Sequence, residues 1–299
     1  MSSSKIPHVL SIQSHVVSGY VGNKSATFPL QLLGFQVDAI NSVQLSNHTG
    51  YKVFKGQVLD DKDLDNLVAG LSENNLDSYT HLLTGYIGSV PFLKRVASLV
   101  KYLKDKNPDL IYVCDPVMGD NGKMYVPEEL TEIFKNEIIP LADILTPNYF
   151  ELELLTGRKT NSVQEILKGI KELHEKGPKI IAISSTKASE QDNKLLGIVS
   201  SITEESILKI DIPLIPVSYT GSGDLFAALF LAHMHLEGNV KDAIEKTVNT
   251  LRAVLLRTFK YYQSRKETAE QLAQKVELHL IQSKKDIEQP PRDLIAQPL

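Results

Sequence analysis

The sequence predicts an α/β fold: a central, mostly parallel β-sheet flanked by helices on both faces, with antiparallel edge strands. Short apolar, β-branched runs recur along the chain, and segments whose apolar residues return every three or four positions lie between them. Such alternation buries a parallel sheet between two helical layers. After residue 190 two strand-like runs follow one another with no helix between, the pattern of antiparallel neighbours. With 299 residues, 42% of them hydrophobic, and no Gly/Ser-rich or Pro-rich break, residues 1–299 are expected to form a single domain.

The strands are expected at 9–12, 36–43, 81–84, 110–113, 143–145 and 179–183, where Val, Ile and Leu cluster between turn residues. Helical spacing marks 90–106, 127–141 and 163–176. The antiparallel pair is expected at 195–202 and 207–215, and helices from 221 to 263 and from 268 to 282. The tail with Pro290 and Pro291 reads as an exposed coil or a docked strap.

Composition narrows the function. A balance of 32 basic against 36 acidic residues, net −4, gives no broad positive field, so no nucleic-acid partner is expected. The most apolar run, 225–232, ends at His233, far short of the roughly 20 residues that cross a bilayer, so it is read as a buried helix and no membrane partner is expected. The N-terminus has no apolar core of a secretory signal, and the single cysteine, Cys114, can form neither an intramolecular disulfide nor a thiolate cage. A cytoplasmic setting is therefore expected. Asn47-His48-Thr49 fits the glycosylation pattern but is set aside for want of an export signal.

In an open parallel sheet ligands bind beyond the carboxyl ends of the strands. Those ends are polar here: Gln13-Ser14-His15, Ser46-Asn47-His48-Thr49, Thr84-Gly85-Tyr86, Asp115, Thr146-Pro147-Asn148 and Ser184-Ser185-Thr186. Turns attract such residues for local hydrogen bonding, but their recurrence at one rim points to a site. The strongest local signal is Thr220-Gly221-Ser222-Gly223-Asp224 opening the apolar helix. A helix start has N–H groups without intrahelical acceptors and a partial positive charge, and glycines admit a phosphate close to the backbone. The motif lacks the lysine of a Walker A loop and the spacing of a dinucleotide fingerprint. Asp224 either only complements the helix dipole or accepts the proton of a hydroxyl attacking a terminal phosphoryl group. Asn148 and Glu151 share a helix face, as a capping box, as supports for a Mg²⁺ ion with its waters, or as both.

Taken together, Ser11-Ile12-Gln13-Ser14-His15-Val16, Gly19-Tyr20-Val21-Gly22-Asn23, Ser46-Asn47-His48-Thr49-Gly50-Tyr51, Cys114-Asp115-Pro116-Val117 and Gly221-Ser222-Gly223-Asp224 resemble the pyridoxal kinase family, of the ribokinase-like fold. The resemblance runs from Val9 to the helices after residue 240. It implies ATP-dependent phosphorylation of the 5′-hydroxymethyl group of pyridoxal, pyridoxine and pyridoxamine, in salvage of vitamin B6. Asp224 matches the catalytic base, and Gly221, Ser222 and Gly223 the anion hole. Ser14, Val21, Val43, Leu45, Thr49, Tyr86 and Asp224 match substrate-binding positions. Asp115, Asn148, Glu151, Ser184, Ser185, Ile215, Val217, Ser222 and Gly223 match ATP-binding positions. Asp115, Asp120, Thr146, Glu151 and Ser184 match positions linked to cations, which implies Mg²⁺ or another divalent ion with ATP and a monovalent K⁺ or Na⁺. The family also implies a homodimer whose other partners are small molecules.

Two departures stand out. The family's usual Gly-Thr-Gly-Asp is Gly-Ser-Gly-Asp here, which keeps the hydroxyl and loses a rotamer-stiffening methyl. The loop after Asp120, Asn121-Gly122-Lys123-Met124-Tyr125, is short beside animal relatives, which puts lid contacts to ATP in question. His233 and His235 point apart on a helix and cannot chelate one metal, His15 and His48 lie near the expected substrate without an assigned catalytic role, and Cys114 reads as a core residue. Two other readings remain: a kinase for another hydroxymethyl heterocycle such as hydroxymethylpyrimidine, and a silent vitamin-B6 carrier, against which the intact Asp224 argues.

Overall fold

A computed structural model describes residues 6–186, 193–264 and 276–299. In chain order the strands are β1 (His8–Val16), β2 (Gln36–Leu45), β3 (Gly56–Val58), β4 (His81–Thr84), β5 (Ile111–Cys114), β6 (Gly119–Asp120), β7 (Lys123–Met124), β8 (Ile144–Leu145), β9 (Ile180–Thr186), β10 (Lys194–Ser201), β11 (Ser206–Pro213) and β12 (Gln297–Pro298). Ten of them form one sheet, in the order β12-β11-β10-β9-β8-β5-β4-β1-β2-β3, with β6 and β7 apart as a hairpin. From β9 to β2 every pairing is parallel. The expected antiparallel edge is β9-β10-β11, and β12 extends it, while β3 adds a second antiparallel edge beside β2. The tail is thus a docked strap rather than free coil, with Ala296 buried.

Strand alternation sends successive side chains to opposite faces. Leu10, Leu82, Tyr112 and Ile181 belong to one core, with α2 (Asp61–Glu73), α3 (Val90–Lys106), α4 (Glu129–Ile133), α5 (Tyr149–Thr156) and α6 (Val163–His174). Val9, Leu83, Val113 and Ala182 belong to the other, with α1 (Asn23–Leu32), α7 (Ser222–Glu237) and α8 (Val240–Ser264). Residues Leu225 to His233 of α7 are all buried, as a helix apolar on every side requires.

Two expected helices differ from the sequence reading. Residues 127–141 begin as α4, widen into a π turn at Phe134–Ile138 and end as a 3₁₀ turn at Ile139–Leu141. Pro140 explains the change, since it has no N–H and its ring crowds the carbonyl one turn earlier. Of the helix expected at 268–282, residues 268–275 lie outside the described residues, and 276–279 take no regular structure. The N–H groups of Glu277 and His279 are instead satisfied by the Tyr262 and Thr258 hydroxyls of α8.

Candidate active site

Sheet register brings the polar strand ends together. Thr84 is level with Cys114, and Cys114 with Leu145, so Asp115 and Thr146 emerge side by side one step beyond the last paired residues. Their N–H groups continue the ladder to Thr84 and Cys114 carbonyls, and the Thr146 hydroxyl donates to Asp115 Oδ1 at 3.2 Å. Asp115 is only 4% exposed. Burial, then the nearby charges of Glu151 and Asp224, push its carboxyl well above the usual range.

Glu151 enters from the start of α5. Asn148 Oδ1 accepts the Glu151 N–H at 2.8 Å and Glu151 Oε2 accepts the Asn148 N–H at 2.9 Å, a complete capping box. Glu151 Oε1 also accepts the Met118 N–H, and Asn148 Nδ2 donates to the Gly119 carbonyl. Burial outweighs these bonds and raises the Glu151 carboxyl. The bonds to 118 and 119 tie α5 to the β6-β7 hairpin. Its turn is Asn121-Gly122, both with positive φ (50° and 78°), so the short loop after Asp120 is a tight two-residue reversal. Asp120 accepts from the Asn121 backbone and side-chain amides at 2.8 Å, and Lys123 is exposed.

Gly221 caps α7 in the left-handed conformation, φ 85°. A Cβ there would lie 2.0 Å from the Tyr20 carbonyl oxygen, so only glycine lets the 19–22 loop pack against the helix start. The Leu225 N–H is the first to bond back, to the Gly221 carbonyl, which leaves the N–H groups of Ser222, Gly223 and Asp224 without intrahelical acceptors. Gly223 is exposed, and a Cβ on it would meet only Asp115 Oδ2, at 3.9 Å. Asp224 Oδ2 accepts the Gly22 N–H at 2.8 Å. Burial raises the Asp224 carboxyl, and that bond restrains the rise. The arrangement can receive an anion at the helix start while a carboxylate of raised basicity stands beside it.

The other expected substrate residues lie at the carboxyl ends of β1, β2 and β4 and in the loops that follow them. Ser14, at the end of β1, lies opposite Val43, and Ser42 is the extra residue of a bulge in β2 whose hydroxyl donates to the Tyr86 carbonyl at 2.7 Å. Val21 and Val43 are buried, Leu45 and Tyr86 half-buried, and Thr49 is exposed on the 46–51 loop. Ser184 and Ser185 are half-buried on β9, and Ile215 and Val217 are half-buried in the loop after β11. His48 has both ring nitrogens engaged: Nδ1 accepts from the Gly50 N–H and Nε2 faces Glu277 at 3.3 Å. Glu277, which meets His48 and Tyr51, and Ser42, which meets the Tyr86 carbonyl, are neighbours of the expected substrate residues that sequence reading misses. Cys114 is a buried core thiol pushed up to about 12 by desolvation.

The chain is similar in sequence to known proteins along almost its whole length. Pyridoxal kinase of Homo sapiens is 47% identical over 298 residues, which cover 94% of this chain and 95% of that protein. The Arabidopsis thaliana pyridoxal kinase is 48% identical, covering 97% and 94%. The chain belongs to the pyridoxal kinase family. The family model described as phosphomethylpyrimidine kinase matches residues 57–269. A structure of Leishmania donovani pyridoxal kinase in complex with ADP and pyridoxamine superposes with a TM-score of 0.89 at 35% identity, over 98% of this chain and 99% of that one. The fold is therefore the ribokinase-like fold of the pyridoxal kinases, with antiparallel strands at both edges.

For a divalent ion, the hard oxygens of Asp115, Glu151 and Thr146 are suitable donors, and two buried carboxylates with raised pKa gain from a cation. Among the described residues no three His, Cys, Asp or Glu side chains form a ready-made metal cage.

Proposed function

We propose that Asp224 is the general base and the Ser222 to Asp224 backbone the anion hole of an enzyme that phosphorylates the 5′-hydroxymethyl group of pyridoxal, pyridoxine and pyridoxamine with ATP. Family membership gives the reaction. The observation that supports these roles is the bare helix start at Gly221–Asp224 with its carboxylate beside it.

The acceptor alcohol lies with its ring among Val21, Val43, Leu45 and Tyr86, and its polar edge meets Ser14 and Thr49. Asp224 takes the hydroxyl proton as oxygen attacks the terminal phosphorus of ATP, and the phosphoryl charge builds against N–H groups already aimed at it. These groups need no reorganisation, so their stabilisation falls on the transition state. Asn148, Glu151, Ser184, Ser185 and Ser222 hold the nucleotide, with Ile215 and Val217 against the adenine. Asp115, Asp120, Thr146, Glu151 and Ser184 form the cation region, where a divalent ion would neutralise phosphate charge and K⁺ or Na⁺ would take a further place.

A single domain over 1–299, a homodimer and a cytoplasmic setting complete the proposal; the ten-stranded sheet shared by both halves of the chain supports the first. No helix of the described residues is long and apolar enough to cross a membrane. A coupled assay with ATP, Mg²⁺ and either pyridoxal or hydroxymethylpyrimidine tests the function. Turnover of pyridoxal is expected to dominate, and preference for the pyrimidine would overturn the substrate assignment.

A further inference from the structure

One carboxylate joins the two loops that flank the acceptor. Glu277 Oε2 accepts the Tyr20 N–H at 3.0 Å, and Oε1 accepts the Tyr51 hydroxyl at 3.0 Å and faces His48 Nε2 at 3.3 Å. Because Gly50 donates its N–H to His48 Nδ1, that nitrogen is an acceptor and the ring proton sits on Nε2, directed at Glu277. The His48 and Tyr51 rings also pack together, with centroids 4.6 Å apart.

Each loop carries acceptor-side groups. The 19–22 loop includes Val21 and ends in the Gly22 N–H that holds Asp224. Thr49 stands between His48 and Tyr51 on the 46–51 loop. Gly19 has φ 99°, and a Cβ there would lie 2.3 Å from Glu277 Oε2, so this loop passes the carboxylate at the closest approach glycine permits.

The segment carrying Glu277 is fixed from behind. Leu278 and Leu280 are buried in the cluster that contains Leu225 and Leu229 of α7, the helix that begins at the anion site. Burial alone would raise the Glu277 carboxyl, but donation from His48, Tyr20 and Tyr51 holds it below its ordinary value, which marks a charged acceptor shared by several donors.

We infer that Glu277 is a positioning residue for the acceptor half of the site, setting the 19–22 and 46–51 loops against each other across the vitamin alcohol. The inference rests on the assignment of Val21, Thr49 and Asp224 to the acceptor side. It places a residue from the far end of the chain in control of alcohol binding and leaves the nucleotide side to other elements.

The test is steady-state kinetics of the full chain carrying Glu277→Gln or Tyr51→Phe. A glutamine keeps one acceptor oxygen where the carboxylate has two, so hydrogen bonds to a charged group are lost, and KM for pyridoxal is expected to rise about tenfold with KM for ATP within about twofold. Tyr51→Phe removes one donor and is expected to raise pyridoxal KM less, in the same direction, at an unchanged thermal midpoint. The double variant is expected to fall short of the product of the two effects. Equal rises in both KM values, or no rise in pyridoxal KM for either variant, would overturn the inference. If Glu277→Gln fails to fold, Tyr51→Phe alone decides. Asp224→Asn assayed alongside separates the two readings: full turnover there would defeat the base assignment, whereas the KM split reads Glu277 independently.

Discussion

Asp224 and Gly22 meet across 202 residues of sequence, the Gly22 N–H donating to Asp224 Oδ2 at 2.8 Å. Gly22 has φ 53°, and a Cβ on it would fall 2.0 Å from the Ser14 carbonyl oxygen. The bond therefore depends on a residue without a side chain, and it fixes one carboxylate oxygen while the other remains for chemistry.

Replacing Asp224 with Asn keeps an oxygen that can accept the Gly22 N–H and removes the base. Turnover is expected to fall by about 10² to 10⁴, the range of a lost general base. ATP affinity by calorimetry and the thermal midpoint should stay close to wild type. Near-normal turnover would end the assignment.

The two glycines of the helix start should fail differently. Gly221→Ala forces a Cβ toward the Tyr20 carbonyl in a left-handed conformation, so the thermal midpoint is expected to drop by about 5 °C or more. Gly223→Val points into open space near Asp115, so the fold should survive while KM for ATP climbs. Differential scanning fluorimetry beside ATP kinetics separates these outcomes, and a destabilised Gly223→Val with normal ATP kinetics would reject the cradle.

Asp115→Asn removes a buried carboxyl that burial, and then the charges of Glu151 and Asp224, hold well above the usual range. The Mg²⁺ concentration for half-maximal rate is expected to rise about tenfold, as when a group supporting a metal site is lost. The thermal midpoint without Mg²⁺ should hold or increase, since a neutral amide escapes the desolvation that burial imposes on a carboxylate there. A Mg²⁺ titration of initial rates checks the first, and an unchanged curve would remove Asp115 from the cation region.

Acid should destabilise the fold through His81 and His233. Burial lowers both to about 4, from 6.5. Between those values the unfolded chain binds protons that the folded chain does not, so stability is full above about pH 6.5 and falls as pH drops toward 4. The His81 ring sits 4.9 Å from that of His235, and neither nitrogen of His233 has a hydrogen-bond partner among the described residues. Thermal midpoints measured from pH 7.5 to 4.5 should decline, and His233→Gln should flatten the slope; a wild-type midpoint level across that range would contradict it.

The strands β1, β2, β4, β5, β8 and β9 and the pair β10-β11 are legible because each is a short apolar run that declares its own period, whereas β3, β6, β7 and β12, two or three residues long, carry no such run and are not; the capping box is legible because Asn148 and Glu151 lie within one turn. The first helix, α1, escaped notice: Pro29 lies inside it and its apolar stripe is weak. Glu277 was illegible for a different reason. Its neighbours carry helical spacing, but the Tyr262 and Thr258 hydroxyls claim the backbone, and its partners lie more than two hundred residues away. The Ser42 bulge likewise follows from how β2 meets β1, which no local pattern records.

The last strand, β12, covers β11 over only two paired positions, Leu208 with Pro298 and Lys209 with Gln297, assisted by the Leu299 N–H on the Ile207 carbonyl. Clipping these few residues would expose a row of hungry amides on β11 without touching any group in the crevice. Such a shortened protein would keep its turnover when dilute yet turn cloudy on concentration, as neighbouring molecules zip together edge to edge.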